Sequence, residues 1–259
     1  MDIIRLECVS KRFSRLEGAK LLSNWGFWRN EGDDSRWFWA LKEVSLSVSS
    51  PGTCIGLIGA NGSGKTTLLR IIAGVTKPTR GLAVTNGRIV PLLELYAGMQ
   101  VDLTGRENIY INGIILGMRR REINQKFDSI VDFSGIADFI DMPLKHYSLG
   151  MIMRLGFSVA SHIEAPIILA DEIWSIGDVD FQRKSMDRLQ KLRKNGAILI
   201  VVSHDLEIVQ KVSDEVAWLE QGRLMAHGPA EQVIPQYLKT MEGSADGKAP
   251  SSPKPTDWS

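Results

Sequence analysis

The stretch LKEVSLSVSSPGTCIGLIGANGSGKTTLLRIIAG, residues 41–74, decides the fold. Its first part alternates apolar and polar residues, which predicts a half-buried strand. A Pro51-Gly52 turn then leads into the apolar run from Cys54 to Ile58, which predicts a fully buried strand. A glycine-rich loop and a helix-patterned segment follow directly. Strand, loop and helix in this order form the setting in which a glycine loop binds phosphate.

The glycine-rich loop fits the pattern G-x-x-x-x-G-K followed by Ser or Thr in full. Glycines let the backbone wrap closely round phosphates, and the following helix N-terminus adds a favourable field. Lys65 is predicted to reach the β- and γ-phosphates, and the Thr66 hydroxyl to ligate Mg²⁺. The predicted nucleotide-binding residues of this loop are Gly59, Ala60, Asn61, Gly62, Ser63, Gly64, Lys65, Thr66 and Thr67. A loop of this kind alone leaves kinases, GTPases, helicases and transport ATPases open.

Acidic residues and a histidine follow two further apolar runs. In IILADE, residues 167–172, a predicted strand ends in Asp171 and Glu172. Asp171 is predicted to hold Mg²⁺, and Glu172 to orient or deprotonate the attacking water. His204, after the run in LIVVSHD, is expected at the same sheet edge, where ligands of open α/β folds collect. We therefore predict Lys65, Glu172 and His204 as the catalytic residues, with His204 sensing the γ-phosphate.

Composition sets limits on the class of protein. The 259 residues carry Lys+Arg 31 against Asp+Glu 30, a formal net charge of +1, which argues against a nucleic-acid partner. The two cysteines show neither metal spacing nor a disulfide framework, so a reducing compartment is expected. The first residues lack the pattern of a signal peptide, and the apolar runs fall short of the roughly 20 residues of a membrane span. Any membrane role is therefore expected through a partner.

The segment HYSLGMIMRLGFSVA, residues 146–160, supports two readings. Ser148 suits a helix N-cap, and one helix face would carry apolar residues, as in a buried helix. The segment also resembles the signature motif of ATP-binding cassette (ABC) ATPases, usually Leu-Ser-Gly-Gly-Gln. Ser148 and Gly150 match that motif, whereas Leu149 and Met151 depart from it. In that family the signature meets the γ-phosphate held by the other subunit, so the resemblance implies a homodimer in which Ser148 and Gly150 contact the partner's ATP.

The resemblance to ABC ATPases covers about residues 2–230, with the motifs in the family's order. It implies an α/β fold: a P-loop NTPase core with an antiparallel β-subdomain and an inserted α-helical subdomain at about 97–163. The implied cofactors are ATP and Mg²⁺. SIGD, Ser175 to Asp178, takes the place of the D-loop. Phe13 takes the place of the residue that stacks on adenine, with Trp39 or Phe38 as alternatives.

Further segments look like the ATPases that export O-antigen, capsule or teichoic acid. They are LLELYAGMQVDLTGRENIYINGIILGM, YSLGMIMRLGFSVA and DEIWSIGDVDFQRK. Glu94 would then stand at the Q-loop position, with Gln100 second. The resemblance implies an ATP-hydrolysing subunit at the cytoplasmic face of the inner membrane that works with integral-membrane permease subunits and moves a lipid-linked polysaccharide. An ATPase of a lipid or drug exporter, or a soluble cassette ATPase acting on ribosomes or DNA, stays as the alternative.

Two segments fall outside this pattern. Residues 14–39 hold four of the seven tryptophans, including Trp25 and Trp28, among charged residues, and are predicted as an insertion before a strand near Leu41. The insertion either gates a membrane entrance or packs on the adjacent sheet. Residues 1–243 are predicted to form the ATPase domain, and the Pro/Ser-rich residues 244–259 a disordered tail. The remaining histidines, His146, His162 and His227, are expected to be structural.

Overall fold

A computed structural model describes residues 2–14, 37–93, 95–172 and 176–245. Several predictions from sequence lie outside these ranges. They concern Glu94, Ser175, most of the insertion with Trp25 and Trp28, and nearly all of the tail.

Nine strands form two sheets in the described residues. A six-stranded sheet has the order β5-β6-β7-β3-β8-β9, and a three-stranded sheet has the order β2-β1-β4. The larger sheet is parallel except for β9, which pairs antiparallel with β8. The smaller sheet is antiparallel. The strands are β1 Ile4–Ser14, β2 Trp37–Val48, β3 Cys54–Ile58, β4 Arg80–Thr85, β5 Ile89–Leu92, β6 Ile167–Asp171, β7 Ile198–Val202, β8 Glu215–Glu220 and β9 Arg223–Pro229.

Seven α-helices complete the described fold. They are α1 Lys65–Ile72, α2 Gly105–Ile115, α3 Arg120–Ser134, α4 Leu149–Ser161, α5 Val179–Lys194, α6 Leu206–Val212 and α7 Ala230–Ala245. Helices α2, α3 and α4 pack on one another as the helical subdomain. The start of α2 is fixed by a reciprocal cap, in which the Thr104 hydroxyl accepts from the Glu107 backbone and the Glu107 carboxylate accepts from the Thr104 backbone. The predicted fold class is confirmed.

The central parallel strands are buried on both faces, which explains their continuous apolar sequence. Alternate residues of β6 and β7 enter different cores. Ile168, Ala170, Leu199 and Val201 pack with the helical subdomain and α5. Ile167, Leu169, Ile198 and Ile200 pack with α1 and the antiparallel sheet. The parallel strands therefore connect the helical subdomain on one face with the antiparallel sheet on the other.

Two boundaries differ by a few residues from the predicted ones. Strand β2 begins at Trp37 rather than near Leu41, because Trp37, Phe38 and Trp39 pair with the end of β1. The Arg12 guanidinium lies 4.1 Å from the ring centroid of Trp37 and 5.7 Å from that of Trp39, so the charged surroundings stabilise the strand. At the other end, α7 runs to Ala245, past the predicted start of the tail. Among the described residues, no helix has the length and apolar character that a membrane crossing requires.

Candidate nucleotide site

The glycine-rich loop lies between β3 and α1, as predicted. Gly59 and Gly64 have φ values of +139° and +109°, in the region that favours glycine. A Cβ atom on Gly59 would collide with the Leu219 carbonyl oxygen, and one on Gly64 would lie 2.6 Å from the Ala40 carbonyl oxygen. Both glycines are therefore required by backbone packing as well as by conformation.

The loop presents polar groups suited to an anion. The Lys65 ammonium donates to the carbonyl oxygens of Gly59 and Ala60, at 2.7 and 3.0 Å. Burial lowers the pKa of Lys65, and the nearby carboxylates of Asp171 and Glu172 act in the opposite direction. The N-terminus of α1 has no side-chain cap and no acidic residue in its first turn. Its backbone N–H groups and dipole therefore favour a bound phosphate.

A cleft of about 230 Å³ opens beside this loop. Most of the predicted phosphate-binding residues line it, together with the predicted metal ligand and the predicted histidine. Its lining residues are Phe38, Ala40, Asn61, Gly62, Gly64, Lys65, Thr66, Thr67, Asp171, Val202 and His204. Ala40 and Val202 were not predicted, because an apolar wall residue carries no motif. Ser63 is buried, and its hydroxyl has no hydrogen-bond partner among the described residues.

Asp171 ends β6 and lines the cleft. Burial raises the pKa of its carboxyl group, and the Lys65 ammonium is the largest influence in the opposite direction. The Thr66 side chain, which lines the same cleft, is the smallest of the influences that lower the pKa of this carboxyl group. A carboxylate and a hydroxyl that line one cleft are a set of oxygen ligands that suits Mg²⁺, so the residues fit the metal that the sequence predicts.

Glu172 and His204 meet at the ends of β6 and β7. Glu172 has a φ of +51°, a strained conformation for a residue with a side chain. Its backbone N–H donates to the Val202 carbonyl oxygen at 3.1 Å, and its Oε1 accepts from the His204 backbone N–H at 2.8 Å. Strain of this kind is concentrated at functional sites. The structure thus brings Glu172 and His204 together beside Asp171.

The three aromatic residues that were predicted as alternatives for stacking on adenine differ in their surroundings. Phe38 is 48% exposed and lines the cleft, whereas Phe13, its cross-strand partner, does not line it. The Lys11 ammonium lies 5.1 Å from the centroid of the Phe13 ring. The Trp39 ring contacts the guanidinium groups of Arg12 and Arg80. The geometry therefore favours Phe38, which was predicted only as an alternative to Phe13.

The signature segment lies in the helical subdomain, away from the cleft lining of its own chain. Ser148 caps α4, with its hydroxyl accepting from the Met151 backbone N–H at 3.2 Å. The Tyr147 hydroxyl donates to the Phe139 carbonyl oxygen at 2.6 Å, which holds the start of α4 on the neighbouring turn. A Cβ atom on Gly150 would meet nothing closer than the Ser148 hydroxyl at 3.8 Å. Both readings of this segment are therefore compatible with its geometry.

The remaining predicted positions carry structural contacts. The Gln100 backbone exchanges hydrogen bonds with the Asn108 side chain, at 2.7 and 3.0 Å. Asp178 caps α5. His162 is buried, with Nδ1 hydrogen-bonded to the Ser158 carbonyl oxygen, and His227 pairs with Glu215.

Sequence comparisons show which known proteins this chain is similar to. The ABC transporter family matches residues 41–175. The O-antigen export system ATP-binding protein RfbB of Klebsiella pneumoniae is 42% identical over 206 residues, covering 80% of this chain and 83% of the relative. RfbB of Myxococcus xanthus is 39% identical over 248 residues, 93% of this chain and 56% of the relative. The teichoic acids export ATP-binding protein TagH of Lactococcus lactis is 41% identical over 83% of this chain and 45% of its own length.

Solved structures share the fold. The ATP-binding subunit of an ABC transporter superposes with a TM-score of 0.72 at 20% identity, over 91% of this chain and 93% of that one. A dimeric ATP-binding cassette in a post-hydrolysis state, bound to ADP and Pi, gives a TM-score of 0.69 at 22% identity, over 88% of this chain and 98% of that one.

Proposed function

The chain belongs to the ABC transporter family, and from this premise we propose that it is the ATP-hydrolysing subunit of an exporter that moves a lipid-linked cell-surface polysaccharide. The ATPase part of this proposal is carried by one observation. Asp171, Glu172 and His204 meet at the carboxyl ends of adjacent strands, beside the lysine of the phosphate loop. Binding alone requires neither the strained Glu172 nor its contact with His204.

We propose one role for each of the residues in and beside the cleft. Bound ATP supplies the phosphoryl group whose transfer to water drives transport, and Mg²⁺ offsets the phosphate charge. Lys65 and the N-terminus of α1 would hold the phosphates, and Thr66 with Asp171 would hold the metal. Glu172 would orient water and accept its proton, and His204 would hydrogen-bond the terminal phosphate. The buried Ser63 hydroxyl adds a polar group that nothing else in the described residues satisfies.

The dimer in this proposal rests on the signature segment. Ser148 and the N-terminus of α4 resemble a phosphate-binding helix start, yet they do not line the cleft that contains Lys65. A second copy arranged head to tail would bring Ser148 and Gly150 of one chain to the phosphate loop of the other. ATP then shifts the population of the closed dimer, and hydrolysis releases it.

The names of the relatives support the proposed cargo and partners. Relatives about 40% identical over most of this chain are named for O-antigen export and teichoic acid export. These names support a polysaccharide cargo and integral-membrane permease subunits that form its path. The ATPase would then bind those subunits at the cytoplasmic face of the membrane as a peripheral protein.

A glycan measurement in cells tests this function. Wild-type protein is compared with Glu172→Gln at the native locus, with Glu207→Gln on the exposed face of α6 as a matched control. We expect Glu172→Gln to remove a surface polysaccharide while lipid-linked polymer accumulates inside, as seen by gel and mass spectrometry. Unchanged glycans in cells that express an inactive variant would assign the cargo to a lipid or drug. Recovery of the protein in the soluble fraction, without a membrane partner, would favour a role on ribosomes or DNA.

A further inference from the structure

Three consecutive arginines form an exposed basic turn between α2 and α3. Arg119, Arg120 and Arg121 are all exposed, and none of their guanidinium groups has an ion-pair or hydrogen-bond partner among the described residues. On α3, the positions three and four residues after Arg120 and Arg121 hold no acidic residue. The turn therefore carries positive charge that its own helix does not neutralise.

The acidic residue in the first turn of α3 is shared by other cations. Oε1 of Glu122 lies 3.9 Å from Nη1 of Arg88 and 3.6 Å from Nζ of Lys126. These two cations compensate its single charge. Residues 114–126 hold four basic residues and one acidic residue, so this stretch is strongly basic in a chain whose formal net charge is +1.

The stability of α3 does not account for the three arginines. The helix dipole gives this end of α3 a partial positive charge, so further cations there are unfavourable. Arg119 also occupies the N-cap position, where its side chain makes no capping hydrogen bond. Residues that break local rules without a gain inside the chain are expected at functional surfaces.

Hydrogen bonds fix the backbone of the basic turn. The Met118 N–H donates to the Gly113 carbonyl oxygen at 2.7 Å. The Gly117 N–H donates to the Ile114 carbonyl oxygen at 2.8 Å, and Gly117 has a φ of +86°. These features form a Schellman motif at the end of α2, and the buried Met118 side chain anchors it. The end of α2 and the start of α3 are therefore held in one relation.

Aliphatic side chains border the arginines. Ile114 and Ile115, in the last turn of α2, are 56% and 58% exposed. They would leave water if an apolar medium covered the turn, which is favourable. Cations beside exposed aliphatic residues are typical of surfaces that lie in a membrane interface, where the cations meet phosphate groups and the aliphatic residues reach the acyl chains.

The basic turn lies apart from the nucleotide-binding segments. It follows the C-terminal end of α2, whereas the N-terminal end packs beside the signature segment, since a Cβ atom on Gly105 would collide with the Tyr147 hydroxyl. The 11 residues of α2 span about 16 Å. None of residues 114–121 lines the nucleotide cleft. Contact at the turn therefore leaves both segments free for ATP.

We propose that Ile114, Ile115 and the arginines of the basic turn contact anionic phospholipid head groups of the membrane at which the exporter works. The inference rests on the proposed function, which supplies that membrane. A nucleic acid would attract the arginines, but its charged backbone offers no apolar medium to the isoleucines. Lipid contact adds a second attachment beside the permease subunits, and two linked attachments bind more strongly than either alone.

The test is flotation of the purified full chain with lipid vesicles that contain no permease. Vesicles of phosphatidylcholine with about one third phosphatidylglycerol are compared with pure phosphatidylcholine, at low and at physiological ionic strength. The arginine variant combines Arg119→Gln, Arg120→Gln and Arg121→Gln. The isoleucine variant combines Ile114→Ser with Ile115→Ser.

A matched control removes three positive charges from other faces of the chain. It combines Lys194→Gln, Lys211→Gln and Lys239→Gln, at exposed positions in α5, α6 and α7. Thermal denaturation and ATP hydrolysis are measured for every protein. The melting temperature of the arginine variant should equal or exceed that of the wild type, because the dipole of α3 disfavours cations at its start.

We expect the wild type to float with the anionic vesicles and to stay in solution with phosphatidylcholine alone. The arginine variant should bind anionic vesicles roughly 100-fold more weakly, whereas the lysine control should bind within about threefold of the wild type. The isoleucine variant should bind roughly tenfold more weakly and keep the salt dependence, which the arginine variant should lose.

Equal losses in the arginine variant and the lysine control would show that only net charge matters, and would overturn the role of the turn. Binding of duplex DNA or RNA through the arginines, without binding to vesicles, would assign the surface to nucleic acid instead. ATP hydrolysis without vesicle binding would overturn this inference alone. Vesicle binding without ATP hydrolysis would contradict the proposed ATPase and support the surface.

Discussion

Oε1 of Glu172 accepts a hydrogen bond from the backbone N–H of His204 at 2.8 Å, and it lies 3.7 Å from Nε2 of the same histidine. The carboxylate is therefore positioned by the main chain of the neighbouring strand end, while the imidazole ring stands beside it. Because the backbone of His204, and not its ring, positions Glu172, the contributions of the two side chains can be measured independently. A change at His204 removes the ring and leaves the N–H that holds Glu172.

Replacing Glu172 with Gln should abolish most turnover while preserving ATP binding. The amide oxygen can still accept from the His204 N–H, so the geometry is retained, but the side chain can no longer accept a proton. General-base catalysis contributes about 10²–10⁴ in rate, and a loss of that size is expected in steady-state ATPase assays. Glu207→Gln is the matched control. Wild-type turnover in Glu172→Gln would contradict the role given to this carboxylate.

Replacing His204 with Ala should lower turnover by roughly 10- to 100-fold, because one hydrogen bond to a charged phosphate is lost. ATP affinity should change less than turnover, since the phosphate loop is unaltered. His227→Ala provides the comparison, because that ring pairs with Glu215 at 2.8 Å outside the cleft lining. Equal turnover in the two variants would show that His204 is not part of the catalytic set.

The buried parallel strands were the easiest elements to predict. β3 has the predicted bounds, and β6 and β7 lie within one residue of theirs, because burial on both faces produces an uninterrupted apolar run. Ser148 was also correctly identified as an N-cap, since its contact with Met151 is local. The start of β2 was harder to predict. The Trp37 ring contacts the guanidinium of Arg12. This contact depends on the pairing of β1 with β2, which are distant in the sequence.

Some contacts depend on tertiary packing and could not be predicted from the sequence. Phe13 and Phe38 are cross-strand partners, and no pattern in the sequence tells which ring borders the cleft. Arg154 and Asp178 are separated by 24 positions and belong to different motifs. Their contact depends on how α4 packs against α5, which periodicity does not specify.

Replacing Phe38 with Ala should weaken ATP binding roughly tenfold, because stacking of a base on an aromatic ring contributes about 1–3 kcal/mol. Phe13→Ala is the matched control on the neighbouring strand. Binding of a fluorescent ATP analogue reports the loss, and competition by tripolyphosphate, which lacks a base, should be equal in both variants. A larger loss in Phe13→Ala than in Phe38→Ala would restore Phe13 as the residue that contacts adenine.

Replacing the buried His162 with Asn should make the free energy of unfolding less sensitive to acid. Burial lowers the pKa of His162 to about 4, below its ordinary value of 6.5, although the Ser158 carbonyl oxygen acts in the opposite direction. Between these values the unfolded chain binds a proton that the folded chain does not bind. The contribution of His162 is therefore complete above pH 6.5 and is lost as the pH falls towards 4, by on the order of 3 kcal/mol.

The amide that replaces the imidazole in His162→Asn can still donate to the Ser158 carbonyl oxygen, but it does not titrate. Urea unfolding at about pH 7.5, 6 and 5, chosen to span the titration of a histidine, should then give a shallower decline for His162→Asn than for the wild type. His146→Asn is the control, because it makes the same change of side chain at an exposed position in a short helical turn. The same slope in all three proteins would show that other groups cause the acid sensitivity. A steeper slope in His146→Asn would assign it to changes in the turn before α4.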